Sequence, residues 1–205
     1  MIFLIDIKVD SRKVKKGDTF IAIKYANKDG HDYINEAIKR GANTIICEKG
    51  NYDGVNVMKV NNTNNFLNNY IYNKYYKEIK NMKLIGVTGT NGKTTTCYLT
   101  HQMLDILGLK NAYIGTIGFH LGKEQRKLTN TTPDIYNLYN LLLEAKEAGA
   151  RAVVMECSSI ALKENRMYGL KFDEVAFTNL TQDHLDFHKT MGNYALAKQK
   201  LFNQL

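Results

Sequence analysis

The stretch Gly86-Val87-Thr88-Gly89-Thr90-Asn91-Gly92-Lys93-Thr94-Thr95 carries the strongest structural signal in this sequence. An apolar run begins at Leu84 before it, and a helical pattern over 95–107, closed by Gly108, follows it. Glycines let backbone N–H groups come close to phosphate oxygens at the positive end of a helix. The stretch therefore predicts a strand, a phosphate-binding loop and a helix, in that order.

Residue types within this loop predict separate roles. Lys93 would reach the outer phosphates of a nucleoside triphosphate, and the Thr94 hydroxyl would bind Mg²⁺. The spacing is G-x-x-G-x-x-G-K-T, because Val87 occupies a position that is glycine in the common P-loop pattern. A glycine turn beside an unrelated lysine is the alternative, which the flanking strand and helix disfavour. The predicted ATP-binding residues are Gly89, Thr90, Asn91, Gly92, Lys93, Thr94 and Thr95.

Strand and helix patterns alternate along residues 82–205. Strands are predicted at 112–114, 152–155 and 175–177. Between them, Thr132-Pro133-Asp134 is typical of a helix start, with threonine as the cap and proline in the first turn, and this helix would run to Gly149. Such alternation predicts an α/β fold with a mainly parallel sheet covered by helices.

Residues 1–81 are predicted to form a smaller α/β unit. Strands are expected at 19–23, 44–47 and 55–60, and a helix at 33–40. The segment 61–81 contains eight asparagines and four tyrosines. It is interpreted as an interdomain helix, with a disordered linker as the alternative, because several apolar residues can form one stripe. These residues are Phe66, Leu67, Tyr70, Ile71 and Tyr75.

Composition excludes several classes of protein. The chain has 205 residues, a formal net charge of +8 and three widely spaced cysteines. Its apolar runs are all well short of 18 residues, so no membrane span is expected. Its first residues make a poor signal peptide and its cysteines show no paired spacing, so a reducing cytoplasm is expected. The basic balance favours anionic partners in general. The lysines are scattered and no nucleic-acid motif accompanies them, so a solvated basic surface is expected rather than a nucleic-acid groove.

Two further segments carry polar groups beyond predicted strands. Glu156 follows the strand at 152–155 and is a metal candidate, because ligands bind beyond the carboxyl ends of parallel strands; a turn residue is the alternative. Residues 178–188 include Asp183 and His184, which could bind metal, although a polar loop with capping residues explains them as well.

A helix predicted over 193–202 contains Lys198. Tyr194, Ala197, Leu201 and Phe202 would share its apolar face, and Lys198 would border that face. Periodicity alone favours a lysine whose stem lies along the helix edge with its ammonium group in water.

Taken together, these residues resemble the bacterial Mur ligases, most closely the MurE branch, which adds the third residue to UDP-N-acetylmuramoyl-dipeptide. The resemblance covers nearly the whole chain, and the Asp10-Ser11-Arg12 start distinguishes the branch because the phosphate loop is common to the wider family. The other matching segments, in the family's order, are residues 89–95, 130–134, 156–159 and 178–202.

The resemblance implies an ATP-dependent ligase that makes an acyl phosphate, which an amino acid's amine then attacks. It implies ATP and Mg²⁺ as cofactors, with Lys93, Glu156, His184 and Lys198 in the catalytic machinery. Thr94 and Glu156 would hold one Mg²⁺ and His184 a second, and Lys198 would be carbamylated and so become an anionic metal ligand.

The same resemblance implies a UDP-N-acetylmuramoyl-dipeptide and a free amino acid as partners, and a monomer. Ser11 would help seat the uridine end. The amino acid that is added stays open between meso-diaminopimelate, lysine and others. The expected contacts to the muramoyl peptide are Asn130, Thr131, Thr132, Ser158 and Arg166.

This sequence also departs from the family pattern. Ile160 stands where histidine is usual, Glu164 where some members have glutamine, and Tyr25 where glycine is frequent. Family members continue past the position of Leu205 into a carboxy-terminal domain, so a truncated chain is expected. The alternatives are an inactive nucleotide- or UDP-sugar-binding fragment and a ligase of the folylpolyglutamate synthetase type, which Asp10-Ser11-Arg12 disfavours.

Overall fold

A computed structural model describes residues 6–25 and 28–205 of the chain. The chain separates into two compact units between Lys74 and Tyr75. This division falls inside a long helix, a few residues before the boundary at 81 that we predict from composition.

The first unit is an α/β unit built on a parallel sheet. Its elements are β1 (Ile7–Lys8), β2 (Thr19–Ile21), β3 (Lys24–Tyr25), β4 (Lys28–Asp29), α1 (Ile34–Lys39), β5 (Thr44–Cys47) and β6 (Asn56–Lys59). Strands β1, β2, β5 and β6 are neighbours in that order and run parallel, while β3 and β4 form a separate antiparallel pair. Phe20, Ile34, Ala37 and Ile45 form its core, as expected for strands and a helix that each bury one face.

The asparagine-rich segment forms α2 (Thr63–Ile79), so the predicted helix is confirmed and the disordered alternative is wrong. Its apolar stripe is narrower than predicted. Phe66 and Tyr70 are only partly buried, and their rings stack on each other with centroids 6.2 Å apart. The fully buried positions instead recur at every fourth residue: Thr63, Leu67, Ile71, Tyr75 and Ile79.

The second unit contains a mixed, mainly parallel sheet flanked by helices. Its elements are β7 (Lys83–Thr88), α3 (Lys93–Ile106), β8 (Asn111–Gly115), β9 (Gly118–Leu121), β10 (Glu124–Arg126), α4 (Ile135–Glu147), β11 (Ala152–Glu156), α5 (Ser159–Lys163), β12 (Glu174–Phe177), α6 (Leu185–His188) and α7 (Met191–Gln199). The strand order is β10-β9-β8-β11-β7-β12. Strands β8, β11, β7 and β12 are parallel, which confirms the predicted α/β class, and β9 and β10 add an antiparallel hairpin that we do not predict.

The register of the parallel strands brings their carboxyl ends to one edge of the sheet. Glu156 at the end of β11 lies opposite Val87 in β7, and Phe177 at the end of β12 lies opposite Thr88. Ligands of open α/β sheets bind beyond this edge. The segments that follow β7, β8, β11 and β12 therefore determine the chemistry there.

Helix α4 corrects the predicted cap. It begins at Ile135, and the carboxylate of Asp134 caps it by accepting a hydrogen bond from Asn137 N at 3.0 Å. Thr132 is not the cap, because its hydroxyl donates to the main-chain oxygen of Glu156 at 2.7 Å. The helix ends at Glu147, two residues before Gly149.

Helix α7 also corrects the predicted face. It ends at Gln199, and Phe202 begins a separate 3-10 turn in which its side chain is exposed. Tyr194, Ala197 and Leu201 are buried as predicted, but Lys198 is buried with them. The side chain of Lys198 therefore does not extend into water from the helix edge.

Two whole-chain features complete the fold. Over the described ranges 6–25 and 28–205, every helix is too short or too polar to cross a bilayer. The three cysteines, Cys47, Cys97 and Cys157, are buried free thiols.

Candidate active site

The glycine loop joins β7 to α3 and requires glycine at two positions. Gly89 has φ +147° and Gly92, which caps α3, has φ +84°, values that side-chain-bearing residues adopt at a cost. A Cβ on Gly89 would also overlap the hydroxyl of Thr178. Gly86 instead lies inside β7, where a Cβ would press on the ring of Phe172. The unusual spacing thus keeps glycine where the loop turns.

The segment after β12 braces this loop. Asn91 N donates to Asn179 Oδ1 and Asn179 Nδ2 donates to Asn91 O, both at 3.0 Å. Thr178 Oγ1 donates to Asn91 O at 2.6 Å, and Thr90 N donates to Asn179 O at 2.9 Å. Residues 178–179 therefore hold the glycine loop in place rather than simply capping a helix.

Lys93 folds back over the loop. Its ammonium group donates to the main-chain oxygens of Gly89 at 3.0 Å and Thr90 at 2.8 Å. Across the described residues, it forms no salt bridge. An ammonium group held only by carbonyl oxygens keeps its charge available for an anion such as phosphate.

The carboxylate of Glu156 is fully buried and accepts four hydrogen bonds. Thr94 Oγ1 and Thr116 Oγ1 donate to Oε2 at 2.9 and 3.1 Å. Tyr113 Oη and Thr116 N donate to Oε1 at 2.5 and 2.9 Å. Burial of a carboxylate is costly unless it is bonded in this way. The turn-residue interpretation of Glu156 is wrong, because it is the last residue of β11 and sits at the centre of a hydrogen-bond network.

Two of these partners were missed by sequence reasoning. Thr116 follows β8 at the same sheet edge, so its position after a predicted strand was a signal for it. Tyr113 carries no comparable signal, because an aromatic residue in an apolar strand is typical of any core. Burial raises the pKa of the Tyr113 phenol well above its usual range, and the adjacent Glu156 carboxylate raises it further.

Lys198 approaches the loop from α7. Its side chain is only 2% exposed, its Nζ donates to Gly89 O at 2.6 Å, and it lies 4.2 Å from the centroid of the Tyr194 ring. The interpretation from periodicity alone, a lysine with its ammonium group in water, is therefore wrong. Burial, together with the charge of Lys93, lowers the pKa of Lys198 to about 8, because both disfavour the protonated amine.

Two residues near Lys198 complete this side of the site. Tyr194 Oη donates to Thr90 Oγ1 at 3.2 Å and so ties α7 to the glycine loop. His184 precedes α6 with φ +52°; its side chain is about half exposed, and its Nε2 lies 3.6 Å from the carboxylate of Asp183. An exposed imidazole at this position is accessible to a ligand or metal.

A second histidine in the same segment is internal. His188 is fully buried, its Nε2 lies 3.0 Å from Ser159 Oγ, and burial lowers its pKa. It therefore supports the start of α5 rather than facing solvent.

The predicted muramoyl-peptide contacts divide into two groups. Thr131 Oγ1 lies 3.0 Å from Thr116 Oγ1, and Ser158 N donates to the hydroxyl of buried Thr132 at 3.0 Å. Thr131 and Ser158 line a cavity at this edge of the sheet. Thr132 is not in the lining and contacts it through Ser158. Asn130 is exposed and is not part of the cavity lining.

Arg166 and Ser11 are bonded within the protein. Arg166 donates to Thr132 O at 2.8 Å, and its Nε and Nη2 donate to Glu164 at 2.9 and 2.7 Å. Two of its guanidinium donors are therefore already bonded to Glu164 within the protein. Ser11 lies in the first unit, where its buried hydroxyl donates to Glu36 at 2.7 Å.

A cavity of about 280 Å³ gathers most of the predicted residues of the second unit. Its lining residues are Thr90, Asn91, Gly92, Lys93, Thr94, Thr95, Thr116, Thr131, Glu156, Ser158, Ser159, His184, Tyr194 and Lys198. In the described part of the chain, no three His, Cys, Asp or Glu residues are grouped to hold a metal. A metal here would rest on the Thr94 hydroxyl and the Glu156 carboxylate, an oxygen pair that suits Mg²⁺, which usually takes one or two carboxylates plus substrate phosphates.

Comparison with known proteins identifies the family of this arrangement. Residues 87–205 match the family model for the Mur ligase middle domain. The chain belongs to the Mur ligase family. Residues 6–85 match a second model of the same group, described as the Mur ligase family catalytic domain. The two matches together cover nearly all of the described residues.

Curated Mur ligases resemble the chain along its length. The UDP-N-acetylmuramoyl-L-alanyl-D-glutamate--2,6-diaminopimelate ligase of Clostridium perfringens is 40% identical over 201 residues, covering 97% of this chain and 42% of that protein. The ligase of the same name from Aquifex aeolicus is 43% identical over 198 residues, covering 97% of this chain and 41% of that protein. The chain thus spans about two fifths of the length of these relatives.

Solved Mur ligase structures share its fold. The structure of a UDP-N-acetylmuramoyl-L-alanyl-D-glutamate--2,6-diaminopimelate ligase has 30% identity and a TM-score of 0.76, covering 97% of this chain and 40% of that one. The MurF ligase of Thermotoga maritima, solved with ADP, has 23% identity and a TM-score of 0.62, covering 95% of this chain and 42% of that one. The second likeness concerns the fold alone.

Proposed function

We propose that this Mur ligase chain acts in the ATP-dependent addition of an amino acid to UDP-N-acetylmuramoyl-L-alanyl-D-glutamate. Its curated relatives are named as ligases of this compound and 2,6-diaminopimelate. One observation carries the proposal. The buried Glu156 carboxylate bonds the Thr94 hydroxyl at 2.9 Å directly beside a glycine loop that carries Lys93. This combination supports binding of a magnesium nucleotide at the carboxyl edge of the sheet.

Different groups of the loop would bind different parts of the ATP phosphates. The backbone amides from Gly89 to Thr95 would cradle the phosphates at the start of α3, and Lys93 would leave its two carbonyl partners for the outer phosphate oxygens. Transfer of the outer phosphoryl group to the substrate carboxylate gives an acyl phosphate, and the incoming amine displaces phosphate to form the amide. Positioning and charge neutralisation supply most of the catalysis in such transfers.

Thr94 and Glu156 would hold one Mg²⁺, and His184 would contribute to a second. The metal's contribution when bound is to neutralise charge on the phosphate oxygens. Lys198 does not fit a metal site as an ammonium group, since it carries the wrong charge. Its buried amine, with the pKa lowered to about 8, fits carbamylation, which needs a neutral amine and yields an anion.

On the substrate side, Thr131 and Ser158 would contact the muramoyl peptide, and their position in the cavity lining supports this role. Thr132 and Arg166 would support them, and Asn130 and Ser11 would contact more distant parts of the substrate, with Ser11 at the uridine. The relatives' names make 2,6-diaminopimelate the first amino acid to test. We assign the reaction to the cytoplasm, which three free thiols support.

Phosphate release from ATP tests the proposal. The assay would combine the 205-residue chain with UDP-N-acetylmuramoyl-L-alanyl-D-glutamate and either 2,6-diaminopimelate or lysine. Substrate-dependent release supports the ligase. Binding of UDP-N-acetylmuramoyl-dipeptide or nucleotide without turnover supports a binding module instead. Release with a folate and glutamate would indicate the folylpolyglutamate type, and a calorimetric absence of magnesium-ATP binding would overturn the site itself.

A further inference from the structure

The phenol of a buried tyrosine bonds one of the two carboxylate oxygens of Glu156, Oε1. Tyr113 is 0% exposed in β8, and its phenol donates to Glu156 Oε1 at 2.5 Å. Thr116 N donates to the same oxygen at 2.9 Å. Both donors of Oε1 thus come from β8 and the turn after it, and neither is a rotatable hydroxyl on the cavity wall.

The other carboxylate oxygen, Oε2, is different. It accepts from the hydroxyls of Thr94 and Thr116 at 2.9 and 3.1 Å, and both of these residues line the cavity. A threonine hydroxyl can rotate its hydrogen away when a cation approaches the oxygen it was bonding. Oε2 is therefore free to exchange its partners for a metal, while Tyr113, which is not in the lining, keeps its bond to Oε1.

Aromatic neighbours and Gly115 fix the position of the phenol. The Tyr113 ring packs edge-to-face against Tyr98 and His120, with centroid distances of 5.8 and 5.3 Å. Gly115 leaves the space through which the hydroxyl meets the carboxylate, because a Cβ there would overlap both Tyr113 Oη and Glu156 Oε1. A donor held this firmly can define the orientation of its acceptor.

We propose that Tyr113 is a positioning residue that fixes the Glu156 carboxylate with Oε2 directed at the bound divalent cation. The inference rests on the proposed magnesium-nucleotide function. Loss of a hydrogen bond that orients a metal-binding carboxylate typically weakens metal affinity about 10- to 100-fold. Tyr113 therefore influences metal affinity through Glu156. The direct contacts of the loop with nucleotide do not depend on it.

The test compares Tyr113→Phe with Tyr98→Phe in the 205-residue chain. The first change keeps the ring and removes the donor to Glu156. The second is a matched control, because it removes a hydroxyl from the adjoining ring, which donates nothing to that carboxylate. Calorimetry would measure ADP affinity once with excess Mg²⁺ and once with EDTA.

We expect Tyr113→Phe to weaken ADP binding at least about tenfold with Mg²⁺ and to leave binding in EDTA within about twofold of wild type. Tyr98→Phe should change neither affinity. An unchanged Mg²⁺ enhancement in Tyr113→Phe, an equal loss in EDTA, or a loss of its fold by circular dichroism would assign the bond to general structure and overturn the proposal. Wild-type protein that fails to bind magnesium-ADP would instead overturn the proposed function.

Discussion

Two lysine amines converge on the main-chain oxygen of Gly89. Lys93 Nζ lies 3.0 Å and Lys198 Nζ 2.6 Å from this oxygen, yet one lysine comes from α3 and the other from α7. The two positive charges repel each other, and part of the lowered pKa of Lys198 follows from this. At the scale of single residues, the pair concentrates positive charge where phosphate would bind.

The first prediction concerns Lys93. Lys93→Ala should weaken ATP binding about 10- to 100-fold, because a charge-assisted hydrogen bond contributes about 1.5–3 kcal/mol. Isothermal calorimetry with magnesium-ATP would measure the loss. Lys200→Ala removes the same charge from an exposed position outside the cavity, and it should leave the affinity unchanged. Equal affinities for the two variants would refute the role of Lys93.

The second prediction concerns the burial of Lys198. Its folded-state pKa of about 8 lies below the ordinary 10.5, so between these values the unfolded chain binds the proton that the folded chain has released. Stability contributed by this residue therefore rises as pH increases through that window. Relative to Lys198→Met, the wild type should gain unfolding free energy from pH 8 to pH 10 in urea titrations free of carbon dioxide. A constant difference between the two proteins would contradict the lowered pKa.

At the scale of elements, strand ends rather than strand interiors build the site. The segment after β12 supplies Thr178 and Asn179 to brace the glycine loop, and the turn after β8 supplies Thr116 to the carboxylate at the end of β11. Parallel strands make this possible because all of their carboxyl ends reach one edge. Each element thus contributes one or two polar groups to a common cavity.

The third prediction tests the start of α4. Asp134→Ala removes the acceptor that caps Asn137 N and should lower the free energy of unfolding by about 1 kcal/mol, the usual cost of losing such a cap. Chemical denaturation monitored by circular dichroism would measure it. Asp134→Asn keeps a cap acceptor and should lose much less. If both variants lost the same amount, the carboxylate's charge rather than its capping bond would be responsible.

One exposed surface of the molecule is apolar. Four apolar residues of α3 and its C-terminal end are exposed. Their exposed fractions are 53% for Leu99, 62% for Met103, 85% for Ile106 and 78% for Leu107. Their spacing places them on one helix face. Contiguous exposed apolar side chains favour association between molecules.

The fourth prediction follows from this surface. Ile106→Lys should reduce concentration-dependent light scattering, because it interrupts the apolar face with a charge, while changing the free energy of unfolding by less than about 0.5 kcal/mol. Gln102→Lys adds the same charge to another exposed position of α3 and serves as the control. Equal reductions by both variants would attribute the effect to net charge alone.

Interactions between neighbours along the chain specified several parts of this protein, and these could be predicted from its residues. Glycine at positions 89 and 92, the apolar run before them and the helical pattern after them specified β7, the loop and α3. Alternating strand and helix periods specified the mainly parallel sheet, and the helical period of 61–81 specified α2. These signals are local, because backbone conformation and burial of one face follow from residues a few positions apart.

The assembly of the site depends instead on contacts between distant parts of the chain. Tyr113 meets Glu156 across 43 positions of sequence, Asn179 meets Asn91 across 88, and Lys198 meets Gly89 across 109. Periodicity placed Lys198 at a helix edge, and the Thr-Pro-Asp pattern placed Thr132 at a helix cap. Both expectations were wrong, because contacts with the loop after β7 and with the end of β11 outweigh local preference. A buried polar group is positioned by whichever distant partner satisfies its hydrogen bonds, and helix and strand periods contain no information about that partner.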